Sequence, residues 1–263
     1  MTDYELPKVW KWEDEEESKS GNQPTAGSRY EQKLPVGEAP FQLYSLGTPN
    51  GVKITIMLEE LKELGLDEVA YDLYQIHIGR GHQFGSDFVD INPNSKIPAL
   101  VDQSQSPSLE IFESASILLY LAEKFDAFIP TDIHERTETL NWLFWQIGSA
   151  PYVGGGFGHF FHYAPEPMKY PIDRFTMETK RQLDLLDKTL AKRSYVAGET
   201  YTIADIAIWS WYGQLALGKL YEGSVEFLNI SEYPHLQEWS ERIAKRPGVQ
   251  KGLDVKYERL KES

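Results

Sequence analysis

Cysteine is absent from this chain of 263 residues. Without it there can be no disulfide framework, no cysteine-ligated zinc or iron–sulfur cluster, and no protein thiol to act as a nucleophile or redox pair. Any thiol chemistry at this protein therefore needs a thiol that a small molecule supplies.

Basic residues and long apolar runs are also scarce. The chain has 26 Lys and Arg against 40 Asp and Glu, a net charge of −14, which argues against nucleic acid and anionic lipid as partners. No apolar run approaches the ~20 residues of a membrane span. The opening MTDYELPKVW has neither the basic nor the apolar region of a secretory signal. We therefore expect a cytoplasmic protein that binds neither membrane nor nucleic acid.

Residues 1–39 are predicted to be an N-terminal extension. An acidic block occupies 13–17, and glycines and prolines recur between 21 and 37 at intervals that exclude a helix. Two interpretations stay open. The segment is either a solvated tail or an arm that Trp10 and Trp12 anchor on the body or on a partner subunit.

Residues 40–126 have the pattern of a small α/β domain. Strands are predicted at 41–45, 69–78, 97–102 and 109–112. An apolar stripe at helical spacing runs from Ile54 to Leu64 before Gly65, a short link covers 84–91, and a further helix covers 114–125. The order predicts a parallel strand pair with a helical crossover, then a hairpin and a covering helix.

Residues 137–263 are predicted to form an all-helical domain, joined to the first near 127–136. Helix-period stripes lie at 135–149, 174–192, 203–217 and 236–245. Thr202 and Asp205 have the spacing of a capping box at the start of a buried helix.

Two motifs in the helical part are judged not to be functional sites. GGGFG at 154–158 lacks the Gly-Lys-[Ser/Thr] of a phosphate loop and does not follow a strand, so we interpret it as a flexible turn between helices. His159 and His162 share a helix face, but only Glu166 is nearby as a third ligand. We expect no metal.

Three polar corners of the α/β domain are better candidates. Two of them lie where a strand meets the start of a helix, a location that suits an anion. They are Thr48-Pro49-Asn50-Gly51 and Glu113-Ser114. Between them, Ile97-Pro98 interrupts a strand-like run. A cis bond there would free the backbone of Ile97 to pair with an extended ligand, whereas an ordinary trans edge proline would do nothing. The spacing alone does not decide between a cis and a trans bond before Pro98. For the other corner, Ser114 could equally be a plain N-cap that binds no ligand.

The chain resembles the glutathione transferase superfamily, and within it the bacterial Nu-class enzymes that act as disulfide-bond oxidoreductases. The segments that carry the resemblance are LYSLGTPNG (43–51), NPNSKIPAL (92–100), FESASILLYLAEKF (112–125), NWLFW (141–145), GGGFGHFFHYAP (154–165) and YTIADIAIW (201–209). The resemblance implies an N-terminal thioredoxin-like domain, an all-helical C-terminal domain, a homodimer, and glutathione as co-substrate.

The resemblance also implies roles for single residues. The bond before Pro98 would be cis, with Ile97 pairing to the glutathione backbone and Glu113 and Ser114 holding the γ-glutamyl end. Thr48 and Asn50 would face the sulfur and be the catalytic pair, with Pro49 beside them. Two glutathione molecules would bind per site, and the further positions that match contacts to one or the other are Asn22, Gln83, Lys96 and Arg174. One departure is that close relatives carry Gln where this chain has Ile147, with Gln146 one residue earlier, a rotation of ~100° on a helix.

The implied activity is the glutathione-dependent reduction of a small-molecule disulfide. Two alternatives stay open. The chain could be a non-enzymatic glutathione-binding or regulatory protein, since fold does not dictate activity. It could also use the same thiolate as a transferase or peroxidase, on electrophiles or organic hydroperoxides.

Overall fold

The computed structural model describes residues 5–12 and 23–260, so Asn22 and the acidic block at 13–17 lie outside the described residues. The first layer contains the strands and the first three helices. They are β1 (Phe41–Ser45), α1 (Pro49–Glu63), β2 (Tyr71–Gln75), α2 (Ser86–Ile91), β3 (Ala99–Asp102), β4 (Leu109–Phe112), α3 (Ser114–Lys124) and, from the end of the chain, β5 (Glu258–Arg259).

The sheet has the order β4-β3-β1-β2-β5. β1 and β2 are parallel, and β3 runs antiparallel to both β1 and β4. The predicted parallel pair and hairpin are therefore confirmed. β2 is shorter than the predicted 69–78 because 3₁₀ turns at Asp67–Val69 and Ile78–Arg80 take up both ends. β5 was not predicted, because two residues are too few to show a strand period.

The second layer is helical. Its elements are α4 (Ile133–Pro151), a π-helix (Tyr152–Tyr163), α5 (Lys169–Leu190), α6 (Ile203–Ile208), a second π-helix (Trp209–Gly213), α7 (Gln214–Ala216), α8 (Ser224–Phe227), α9 (Pro234–Ala244) and α10 (Pro247–Leu253). The capping box is confirmed: Thr202 Oγ1 accepts from the Ala204 amide at 3.3 Å, and Asp205 Oδ2 accepts from the Thr202 amide at 3.0 Å. A fold of this kind, sheet layer followed by helical layer, agrees with the prediction.

The prediction of a flexible turn at 154–158 is wrong, because these glycines lie inside the first π-helix. A Cβ on Gly154 would lie 2.5 Å from Cη2 of Trp211, and one on Gly158 would lie 2.1 Å from the ring of Tyr221. The glycines are therefore places where aromatic rings approach the backbone. The motif is explained by the lack of a Cβ at these positions and not by chain flexibility. The local sequence does not reveal this, because the rings that pack there come from other segments.

Part of the N-terminal extension lies along the body of its own chain. The Arg29 amide donates to the Phe84 carbonyl at 2.8 Å, Lys33 pairs with Asp87 at 3.0 Å, and the Tyr44 hydroxyl donates to the Pro35 carbonyl at 2.8 Å. For residues 29–35 the arm is therefore the correct interpretation. Farther out, the side chain of Trp10 is 61% exposed.

Helix α1 joins the two layers. Thr55 Oγ1 donates to the carbonyl of Gly252 on α10 at 2.6 Å, and Arg246 makes two hydrogen bonds, of 2.6 and 2.8 Å, to the carboxylate of Glu60. The C-terminal segment 246–252 thus fixes α1, whose N-terminus opens onto a cleft between the layers. Within residues 5–12 and 23–260, no helix is long and apolar enough to cross a membrane.

Candidate functional site

A cleft of about 740 Å³ lies between the sheet layer and the helical layer. One wall is built by the start of α1, the loop before β3 and the start of α3. The opposite wall is built by the end of α4, the first π-helix and Trp211. Residues from both predicted parts of the chain therefore contribute to one site.

Thr48 caps the helix that points into this cleft. Its backbone is extended, and its Oγ1 accepts a hydrogen bond of 3.3 Å from the amide of Gly51. That bond uses the oxygen as an acceptor, so the hydroxyl hydrogen is still available to donate. The positive end of the α1 dipole lies at the same point. The corner is therefore suited to a small anion such as a thiolate.

Asn50, in the first turn of α1, is held from the opposite wall. The indole Nε1 of Trp211 donates to Oδ1 of Asn50 at 2.9 Å. Because the oxygen is engaged, the amide nitrogen is the group that Asn50 can offer to a ligand. Trp211 is a site residue that sequence reasoning missed, since its apolar surroundings assigned it to the core.

The segment before β3 forms the next part of the wall. The Ile97–Pro98 peptide bond is cis, as the resemblance implies, and β3 begins only at Ala99, so Ile97 precedes the regular ladder. Asn92 Nδ2 donates to the Lys96 carbonyl at 2.5 Å, and Ser95 has a φ of 54°. These features hold the segment in a defined conformation along the cleft.

Glu113 and Ser114 form the corner at the start of α3. Ser114 is the first helical residue and Glu113 occupies the cap position, with a φ of 67° and no side-chain capping bond. Ser114 is therefore not the plain N-cap that the alternative required. A non-glycine residue in this backbone region is strained, and such strain concentrates at functional sites.

Lys53 is the unexpected member of the site. Its side chain is fully buried, and its Nζ donates to Ser114 Oγ at 3.1 Å and to Gln146 Oε1 at 2.8 Å. Burial lowers the pKa of Lys53 to about 7, and the negative charge of Glu113 acts in the opposite direction. Lys53 is the fifth residue of α1, beyond its first turn, and nothing in its local sequence indicates this environment.

Gln146 and Ile147 both line the cleft. Gln146 is the one of the pair whose side chain joins the polar network, through Lys53. A glutamine therefore lies on this wall one position before 147, and its role in binding stays a prediction.

Gln83 supplies an acceptor with no partner among the described residues. It is 6% exposed, its Nε2 donates to the Ile78 carbonyl at 3.3 Å, and its buried Oε1 is unbonded. A buried acceptor in this state is costly unless a ligand donates to it.

Nine of the predicted site residues meet in this cleft: Thr48, Pro49, Asn50, Gln83, Lys96, Ile97, Pro98, Glu113 and Ser114. Arg174 does not line it. It is exposed on α5, near Glu178, whose pKa falls mainly through a hydrogen bond from Arg181 and in small part through Arg174. The role of Arg174 stays a prediction, as does that of Asn22, which lies outside the described residues.

In the described parts of the chain, no group of three or more His, Cys, Asp or Glu could hold a metal ion.

Comparison with known proteins agrees with this geometry. Residues 39–123 match the family model "Glutathione S-transferase, N-terminal domain", and residues 170–242 match "Glutathione S-transferase, C-terminal domain". The chain belongs to the glutathione S-transferase family. The first matched region lies in the sheet layer and the second in the helical layer.

Individual members are close to this glutathione S-transferase in sequence and structure. The Escherichia coli K12 protein "Disulfide-bond oxidoreductase YghU" is 55% identical over 262 residues, which cover 97% of this chain and 90% of that protein. The crystal structure of "glutathione transferase YghU from Streptococcus pneumoniae", complexed with glutathione, has a TM-score of 0.95 and 64% identity, covering 98% of this chain and all of that one. A glutathione transferase from Burkholderia graminis, with two glutathione molecules bound per subunit, has a TM-score of 0.74 and 37% identity, covering 82% of this chain and 88% of its own.

Proposed function

We propose that this chain is a glutathione-dependent disulfide reductase, in which two glutathione thiols reduce one small-molecule disulfide. The observation that carries the proposal is the corner at the start of α1, where Thr48 and Asn50 present donors to a cleft in a chain that has no cysteine. Such a corner can stabilise a thiolate but cannot supply one. The names of relatives that act on disulfide bonds and bind glutathione support the same function.

The proposed placement of the first glutathione follows the cleft. Its backbone pairs with Ile97, its γ-glutamyl end lies at Glu113 and Ser114, and its sulfur lies at Thr48 and Asn50. The buried Oε1 of Gln83 can accept from one of the two peptides. Pro49, Pro98, Lys96, Asn22 and Arg174 complete the proposed contacts to one glutathione or the other.

The reaction proceeds by two thiol–disulfide exchanges. The first glutathione thiolate attacks one sulfur of the substrate, forms a mixed disulfide and releases a thiolate that takes up a proton. The second glutathione thiolate attacks the glutathione sulfur of the mixed disulfide, which yields oxidised glutathione and a second substrate thiolate. The two protons lost by the glutathione thiols end on the two product thiols. Holding both glutathiones side by side supplies most of the rate enhancement through proximity.

The energy required is within reach of this corner. A free thiol is mostly protonated at neutral pH, and a hundredfold gain in its ionisation needs about 2.7 kcal/mol. A helix N-terminus contributes about 0.3–1 kcal/mol, and about 2 kcal/mol where partly buried. A hydrogen bond to a charged acceptor contributes about 1.5–3 kcal/mol. The start of α1 and the hydroxyl of Thr48 therefore suffice without a general base.

The proposed assembly is a homodimer. On α4 and α5 several large apolar side chains are exposed, among them Phe144 (60%), Tyr170 (81%) and Met177 (60%). Large exposed apolar side chains such as these support a contact surface on the helical layer. Light scattering tests the dimer directly: a mass near twice the 30.2 kDa of the chain is expected, and a monomer would contradict it. The reducing cytoplasm is the expected compartment.

Reduction of hydroxyethyl disulfide, with and without glutathione, tests the activity. We expect turnover only with glutathione, and no loss after the ligand-free protein is treated with iodoacetamide and desalted, because the chain has no thiol to alkylate. Glutathione binding without turnover would instead support a binding protein. Higher rates with an aryl halide or an organic hydroperoxide would support a transferase or peroxidase. The proposal would be overturned if the protein showed no glutathione binding and no turnover of any of these substrates.

A further inference from the structure

Lys53 lies at the floor of the cleft and is fully buried. It begins on α1, and its ammonium group reaches Ser114 at the start of α3 and Gln146 on α4. It therefore connects three helices at the point where the cleft is most polar. None of the roles assigned above uses this residue.

An ammonium group can only donate hydrogen bonds. Ser114 Oγ must therefore accept from Lys53, which directs the hydroxyl hydrogen of Ser114 away from Nζ. In the same way, Lys53 engages Oε1 of Gln146 and leaves its amide nitrogen as the group available to the cleft. Both residues line the cleft, so one buried cation turns two neutral side chains into donors for an anion.

The charges around Lys53 fit a zwitterion. Glu113 is the charged group whose field reaches Lys53, and Glu113 and Lys96 face the same cleft. Other titratable groups on elements packed against α1 have partners of their own: Glu60 with Arg246, Glu63 with Lys251, Tyr120 and Lys124 with Asp102, Tyr212 with Gln182, and Asp205 with Thr202 and Trp239. A carboxylate near Ser114 and an ammonium near Glu113 would match this arrangement.

We propose that Lys53 is a positioning residue that orients Ser114 and Gln146 toward the α-carboxylate of the γ-glutamyl group. The inference rests on the proposed function, because it assumes that glutathione occupies the cleft. Lys53 acts only while it carries its proton. Since burial brings the pKa of this lysine down to about 7, the affinity for glutathione then depends on pH in the neutral range.

The test measures binding of S-methylglutathione by calorimetry from about pH 6 to about pH 9, the range in which a lysine with this burial titrates. This analogue has no free thiol, so ionisation of the sulfur cannot contribute. For the natural chain we expect the affinity to fall as pH rises above 7. Lys53→Met should bind about tenfold more weakly at the acidic end, the loss of one charge-assisted network, and should show a flatter pH profile.

Lys62→Met is the matched control, because it removes a lysine from the same helix where Lys62 pairs with Glu59 away from the cleft. It should keep the affinity and the pH profile of the natural chain. A double variant separates positioning from general electrostatics: Lys53→Met should weaken binding much less when Ser114→Ala is already present, since the group it orients is gone.

The outcomes distinguish the two proposals. If the natural chain binds neither glutathione nor S-methylglutathione, the proposed function fails. If the natural chain binds and Lys53→Met has the same affinity and the same pH profile, the role of Lys53 is wrong and the proposed function stands. Equal losses from Lys53→Met with and without Ser114→Ala would also overturn the positioning role.

Discussion

Trp211 and Asn50 lie on opposite walls of the cleft and are joined by a hydrogen bond of 2.9 Å from the indole Nε1 to Oδ1. The bond ties the helical layer to the first turn of α1. It also determines which end of the Asn50 amide faces a ligand, because the oxygen is occupied. The packing of Gly154 against the same indole keeps the ring in place. The helical layer therefore controls a residue that we place at the reacting sulfur.

Removing the indole donor should slow disulfide reduction. In Trp211→Phe the ring is retained and the donor is lost, so Asn50 is free to turn its oxygen toward the thiolate. We expect a rate about tenfold lower, the equivalent of one modest hydrogen bond, measured at saturating glutathione.

Trp142→Phe is the control for this variant. It removes an equivalent indole donor, whose 2.9 Å bond goes to Glu138 on the same helix, and Trp142 does not line the cleft. It should keep the full rate. Equal rate losses in the two variants would mean that the Trp211 bond serves stability alone.

The contacts that sequence reasoning missed are those that join distant parts of the chain. The β1–α1–β2 unit, the hairpin and the capping box follow from local periods, because each is encoded within about 35 residues. Trp211 and Asn50 are 161 positions apart, and Lys53 is 61 and 93 positions from its two partners. No local period encodes such pairs. The π-helix at 152–163 was missed for a related reason, since its glycines are explained only by rings from other segments.

Thr48 should affect stability and catalysis together. Its Oγ1 caps α1, so Thr48→Ala should lower the free energy of unfolding by about 1 kcal/mol. The loss of the hydroxyl donor to the thiolate should lower the rate by more, about tenfold to a hundredfold. Thr48→Ser keeps the hydroxyl oxygen and should therefore keep most of the stability and most of the rate. Urea unfolding measures the loss of stability, and disulfide reduction measures the loss of rate. If the rate loss, expressed as an activation free energy, is no larger than the loss in unfolding free energy, Thr48 has only a structural role.

The close approach of α10 to α1 should tolerate no side chain at Gly252. A Cβ there would lie 2.6 Å from Cα of Ile56, and overpacking of this kind costs about 1–3 kcal/mol. Gly148→Ala is the matched comparison within a helix, because nothing lies within 4 Å of its Cβ position. Alanine is favoured over glycine in a helix by about 1 kcal/mol, so that variant should gain stability. A neutral Gly252→Ala in urea unfolding would show that α10 can shift away from α1.

The buried lysine should make the stability of the ligand-free protein depend on pH. Burial lowers the pKa of Lys53 from 10.5 to about 7, and unfolding restores the ordinary value. Between these values the unfolded chain binds a proton that the folded chain does not, so the free energy of unfolding rises with pH across this window and is flat below it. Lys53→Met lacks this contribution. Subtracting its unfolding free energy from that of the natural chain, pH by pH, removes the other titrating groups. The difference should increase from about pH 7 to about pH 9, and a constant difference would mean that Lys53 keeps an ordinary pKa in the folded protein.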